Sequence, residues 1–91
     1  MPVGYLLSEG GRWYALFNQQ AAFALAQREY PGLIPHGQTA HSTWESAWSE
    51  RIASGPWRRK GRSGGRPLAQ VRARGLEGVP VPLSTLLDLD G

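Results

Sequence analysis

Apolar positions between residues 3 and 17 fall into two runs, Val3-Gly4-Tyr5-Leu6-Leu7-Ser8 and Trp13-Tyr14-Ala15-Leu16-Phe17, on either side of Gly10-Gly11. Paired glycines accept φ > 0 in a two-residue turn, so the pattern predicts a β-hairpin with Glu9 opposite Arg12 and Leu7 opposite Tyr14. One face then carries Val3, Tyr5, Leu7, Tyr14 and Leu16, and the other Leu6, Trp13, Ala15 and Phe17. Both faces are apolar, so helices must cover at least one. A second copy of the chain covering the other is consistent with a homodimer.

The next segment changes period. Gln19 to Glu29, with the Ala-rich body Ala21-Ala22-Phe23-Ala24-Leu25-Ala26, predicts a helix with Asn18 as its N-cap. It ends at Tyr30-Pro31-Gly32, because a residue before proline avoids the α region. Leu33-Ile34-Pro35 reads as a short strand, and His36-Gly37-Gln38-Thr39-Ala40 as a loop. A second helix opens at Ser42-Thr43-Trp44-Glu45, which fits a capping box, and runs to about Ala53 before Ser54-Gly55-Pro56. Trp44, Trp48 and Ile52 form one stripe on it, read as core, and Trp13 is expected to pack on the hairpin.

Residues 57 to 67, Trp57-Arg58-Arg59-Lys60-Gly61-Arg62-Ser63-Gly64-Gly65-Arg66-Pro67, show no periodicity and read as a loop or hairpin tip. Leu68 to Arg74 alternates, with Gln70, Arg72 and Arg74 on one side and Ala69, Val71 and Ala73 on the other, as in a half-exposed strand. A short helix also fits between Pro67 and Gly75. Val79-Pro80-Val81-Pro82 reads as extended and at a sheet edge, and Leu83 to Leu89 as a last short helix. The fold class expected is α+β: a small antiparallel sheet of the N-terminal hairpin plus one or two further strands, packed by two helices, with an Arg/Gly-rich loop. The chain reads as a single small domain over 1–91, with 55–67 its flexible basic loop.

Composition adds limits. A chain of 91 residues buries only about 60 to 65% of its unfolded surface. It has no Cys, which removes disulfides and thiolate zinc sites and suits a cytoplasmic protein. Its start has no basic leader, and no apolar run approaches the roughly 20 residues that span a bilayer, so no membrane association is expected.

Charge changes the picture most. Arg51, Arg58, Arg59, Lys60, Arg62, Arg66, Arg72 and Arg74, eight of the ten basic residues, fall between positions 51 and 74, where there is no Asp or Glu. That stretch carries +8 between flanks of −2 and −3, which gives the overall +3. Nine of the ten cations are Arg, which suits bidentate contact with phosphate or carboxylate, although a GC-rich genome also favours Arg. Arg58, Arg59, Lys60, Arg62, Arg66, Arg72 and Arg74 can follow a phosphate backbone while the Trp57 indole stacks on a base. About six such contacts to duplex DNA predict a log–log salt slope near −5. Pairing of these Arg residues with Glu77, Asp88 and Asp90 is the structural alternative.

Gly65-Arg66-Pro67 resembles the core of the AT-hook, which implies an Arg in a narrow minor groove, but Leu68 stands where that motif continues with basic residues. Over residues 5 to about 52, the order hairpin, helix, Tyr-Pro-Gly, strand, helix resembles the hybrid-binding domain of some ribonucleases H and viroplasmins. It departs from that family in having Glu9 at the first turn and no Trp early in the first helix. Gly4-Tyr5-Leu6 with Tyr14-Ala15-Leu16 resembles the opening of a GIY-YIG nuclease. That resemblance would nominate Tyr5, Tyr14 and Arg28, but Ala15 replaces a motif Gly and no matching Glu and Asn follow.

His36, His41 and Glu45 are too few for a metal site without Cys and read as surface or capping residues. The function expected is a non-catalytic nucleic-acid-binding module that contacts phosphate through the Arg-rich segment, with no cofactor. The alternative is a small protein-binding inhibitor or adaptor, of phage or mobile-element accessory type, docking on an acidic protein surface.

Overall fold

The structure, a computed structural model, describes residues 2–32 and 37–87. It is α+β, as expected: a curled four-stranded antiparallel sheet with three helices. The elements run β1 (Gly4–Glu9), β2 (Arg12–Phe17), α1 (Gln19–Glu29), α2 (Ala40–Ser49), β3 (Arg62–Ser63), β4 (Arg66–Pro67), β5 (Val71–Ala73), β6 (Leu76–Pro82) and α3 (Leu83–Leu87). The main sheet has the order β1-β2-β6-β5, and β3 pairs with β4 separately.

The first hairpin has the expected register, with Glu9 opposite Arg12 and Leu7 opposite Tyr14. Gly10 and Gly11 both have positive φ, 58° and 81°. Both faces of the sheet are buried over its centre: Leu7, Tyr14 and Leu16 on one, Ala15, Val79 and Val81 on the other. One core cluster joins Leu7 and Leu16 to Val71 and Ala73, and the second joins Val79 and Val81 to Ala47, Ala53 and Ala69. Trp48 packs against both.

Helix α1 has the predicted bounds. Asn18 caps it by accepting from the Ala21 N–H at 2.8 Å, and it ends at Tyr30, before Pro31. The predicted strand at Leu33-Ile34-Pro35 lies outside the described residues, as do His36, Asp88, Leu89 and Asp90.

Helix α2 differs at both ends from the reading of the sequence. It starts at Ala40, because Thr39 and Ser42 form the capping box and the Glu45 carboxylate is drawn away to Arg59. It stops at Ser49 in a Schellman arrangement: Ile52 N–H donates to the Ala47 carbonyl and Arg51 N–H to that of Trp48. Arg51 takes φ 62°, the left-handed conformation this cap needs. The chain thus leaves the helical path before Ile52, which drops out of the Trp44–Trp48 stripe and is exposed. Trp44 and Trp48 pack against the core as expected, whereas Trp13 is exposed, at 54%.

Strand β6 lies between β2 and β5, not simply at an edge. Its prolines are tolerated because β5 covers only Leu76 to Gly78. The Pro80 carbonyl points away from β2 and accepts from Ser54 N–H at 3.0 Å. Its missing N–H therefore falls where no ladder bond is required. Between β5 and β6, Arg74 and Gly75 have φ 52° and 80°, making a two-residue turn of the primed kind.

Candidate nucleic-acid interface

The Arg-rich segment is folded as a ribbon. Arg59 bridges Val71 on the outer edge of β5, Lys60 N–H donates to the Gln70 carbonyl and Leu68 N–H to the Gly61 carbonyl. Beyond these, Arg62 pairs with Pro67 and Ser63 with Arg66, closed by Gly64-Gly65 at φ 62° and 80°. Opposing positions shift by one residue along this ladder, so Ala69 is a bulge. Its side chain is fully buried, and its carbonyl accepts the Trp48 indole N–H at 2.5 Å.

Alternation along the first strand of the ribbon sorts its side chains. Trp57 and Arg59 turn inward. The Trp57 ring meets Tyr14 edge-on and packs against the Leu7–Val71 cluster. Arg59 pairs with Glu45, donates to the Leu68 carbonyl at 3.2 Å and lies over the Trp48 ring at 4.9 Å. Arg58, Lys60 and Arg62 turn outward, spaced by about 6.6 Å per pair of residues.

Lys60 meets Arg72 across the sheet through one carboxylate. Glu77 Oε1 accepts from Lys60 Nζ at 2.6 Å and from Arg72 at 2.8 Å, while Gln70 donates to its other oxygen at 3.3 Å. The hydrogen bond from Lys60, and then that from Arg72, hold the Glu77 carboxyl below its ordinary pKa. Four cations, Arg58, Lys60, Arg62 and Arg72, thus share one side of the ribbon with Glu77, the single carboxylate there among the described residues.

An open cleft of about 320 Å³ borders this side, lined by Asn18, Gln19, Gln20, Gln70 and Glu77. Its carboxamides can both donate and accept hydrogen bonds. The Trp44 indole N–H fixes its far wall by donating to the Gln19 carbonyl at 2.8 Å.

The remaining candidates stand apart. Arg74, in the β5–β6 turn, donates to the Ser8 carbonyl and to Glu9 at 2.9 Å, tying that turn to β1. Arg66 projects from the opposite side of the ribbon to Arg62. It lies in a paired strand, opposite Ser63 in the β3–β4 register. Among the described residues, Arg58, Arg62 and Arg66 have no acidic partner, whereas Arg59, Lys60, Arg72 and Arg74 each have one. Gln70 shares a side with Arg72, as the alternation in the sequence predicts, and Glu77 is an internal partner of the cations, as the structural alternative expects; the β5–β6 hairpin brings both to Lys60 and Arg72.

Among the described residues, no three His, Asp or Glu side chains are grouped to hold a metal ion, and no helix is long and apolar enough to cross a membrane. Comparison with protein-family models, curated proteins and solved structures finds no match to this chain.

Proposed function

We propose that the protein is a non-catalytic nucleic-acid-binding module that contacts the phosphate backbone through the outward side of the ribbon. The observation that supports this most is the row Arg58, Lys60, Arg62 and Arg72, set at strand spacing and opposed, among the described residues, by one carboxylate. Successive phosphates of a nucleic-acid strand offer acceptors at a comparable spacing, and an extended row of guanidinium groups positions a strand without reading its bases. Arg59 and Trp57 have structural parts in this reading: they fix the ribbon to α2 and β2. Arg74 secures the β5–β6 turn.

Exposure of Leu6 and Trp13 on one face of the first hairpin favours a second reading, a small adaptor or inhibitor that docks on an acidic protein. Fluorescence anisotropy with labelled duplex DNA, single-stranded DNA and RNA separates the two. Binding should fall steeply with salt, and the Arg58→Ala, Arg62→Ala double variant should lower the log–log slope by about 2. Unlabelled polynucleotide should displace the probe far better than polyglutamate of equal charge. Absence of binding to all three polymers at low salt would overturn the nucleic-acid reading.

A further inference from the structure

The tip of the ribbon adds a geometric constraint that the phosphate-contacting row does not use. Cross-strand partners share a face and neighbours along a strand alternate, so Arg62 lies with Pro67 on one face and Arg66 on the other. Gly61, Arg62, Gly64, Gly65, Arg66 and Pro67 are all exposed. These six residues leave the arm open to solvent on both faces, and Arg62 and Arg66, one on each face, have no acidic partner among the described residues.

A strand lying flat along the outward side would meet Arg58, Lys60, Arg62 and Arg72. It would leave Arg66 pointing away. Only a concave surface that rises on both sides of the arm meets Arg62 and Arg66 together.

Dimensions select among grooves. Two paired strands stand about 4.8 Å apart before their side chains are added, which fits a major groove about 12 Å wide but not a minor groove about 6 Å wide. From Gly61 to the turn at Gly64 the arm extends about 10 Å, enough to reach the floor of a groove roughly 8.5 Å deep. The A-form duplex of RNA has a deep, narrow major groove that does not admit it. Gly64 and Gly65 carry no side chains, so the arm enters by its thinnest part.

We propose that the Gly61–Leu68 arm enters the major groove of duplex DNA, with Arg62 facing one wall and Arg66 the other, while Arg58, Lys60 and Arg72 rest on the phosphates at the groove's lip. This rests on the nucleic-acid reading above and adds to it the polymer and the groove. Arg66 becomes the diagnostic residue, because flat binding does not involve it.

The test is anisotropy of the wild type, Arg62→Ala and Arg66→Ala with a duplex DNA, the duplex RNA of the same sequence and the single strand, with a thermal melt of each protein. Dimethyl sulfate footprinting of guanine N7, in the major groove, and adenine N3, in the minor groove, accompanies it. Duplex DNA should bind tightest, and each variant should weaken it by roughly fivefold or more. Arg66→Ala should leave single-strand binding and the melt unchanged, and guanine N7 should be protected.

Duplex binding that is indifferent to Arg66→Ala overturns the groove assignment and leaves the phosphate reading standing. So does equal affinity for the single strand, or protection of adenine N3 alone. Failure to bind any polymer overturns both.

Discussion

The Trp57 indole meets the Tyr14 ring edge-on, with centroids 4.9 Å apart and planes at 74°. That contact seats the start of the Arg-rich segment on β2. Gly55 belongs to the same arrangement, since a Cβ there would lie 2.9 Å from the indole.

Truncating Trp57 should therefore cost stability, not nucleic-acid contact. Trp57→Ala removes a half-buried indole from the Leu7–Val71 cluster and should destabilise by about 3 kcal/mol. Urea denaturation should show the midpoint falling with an unchanged slope. At a temperature where the variant is still folded, its affinity for nucleic acid should match the wild type. A stable variant with lost affinity would return Trp57 to a stacking role.

Glu77 offers a test by charge and by pH. Glu77→Gln removes the carboxylate that pairs with Lys60 and Arg72 on the cationic side and should tighten nucleic-acid binding by roughly fivefold at low salt. The Glu77 carboxyl titrates below its ordinary value because Lys60, and then Arg72, hydrogen-bond its charged form. Its stabilising effect is present above the unfolded carboxylate pKa and is lost as pH falls through the lowered folded one. The stability gap between wild type and Glu77→Gln should thus be constant above about pH 5 and close below about pH 4. A gap independent of pH down to full acid unfolding would show that the Lys60–Glu77–Arg72 contacts do not couple to folding.

Local chemistry explains which parts of this fold the sequence made legible. Gly10-Gly11 sets the first hairpin and its register, and Asn18 with Tyr30-Pro31 brackets α1, each by contacts within a few residues. The second helix was harder to place because its stop depends on Arg51 in a conformation usually left to glycine. The β5–β6 hairpin was hidden for the same reason: its turn is Arg74-Gly75, and Arg74 is held by Ser8 and Glu9, 66 and 65 residues away. Charge segregation points to the basic segment and allows its pairing with Glu77, but gives no sign of the pair with Glu45. Glu45 is 14 residues from Arg59, and Glu77 is 17 from Lys60, so these pairs exist only once the ribbon has folded onto α2 and β6.

Arg58 and Arg59 are adjacent in sequence and should behave oppositely. Arg59 is engaged three ways: with the Glu45 carboxylate, with the Leu68 carbonyl at 3.2 Å and over the Trp48 ring at 4.9 Å. Its side chain is 29% exposed, so Arg59→Ala leaves Glu45 without its cation in a half-buried place and should destabilise by about 2 kcal/mol. Arg58 is exposed and has no partner among the described residues. Arg58→Ala should change stability by less than about 0.5 kcal/mol and lower the salt slope of nucleic-acid binding by about 0.9. Thermal melts and salt titrations on the two variants check both halves. If Arg58→Ala melts early, or Arg59→Ala keeps full stability, the inward and outward assignment of the ribbon is wrong, and with it the cationic row on which the proposed function stands.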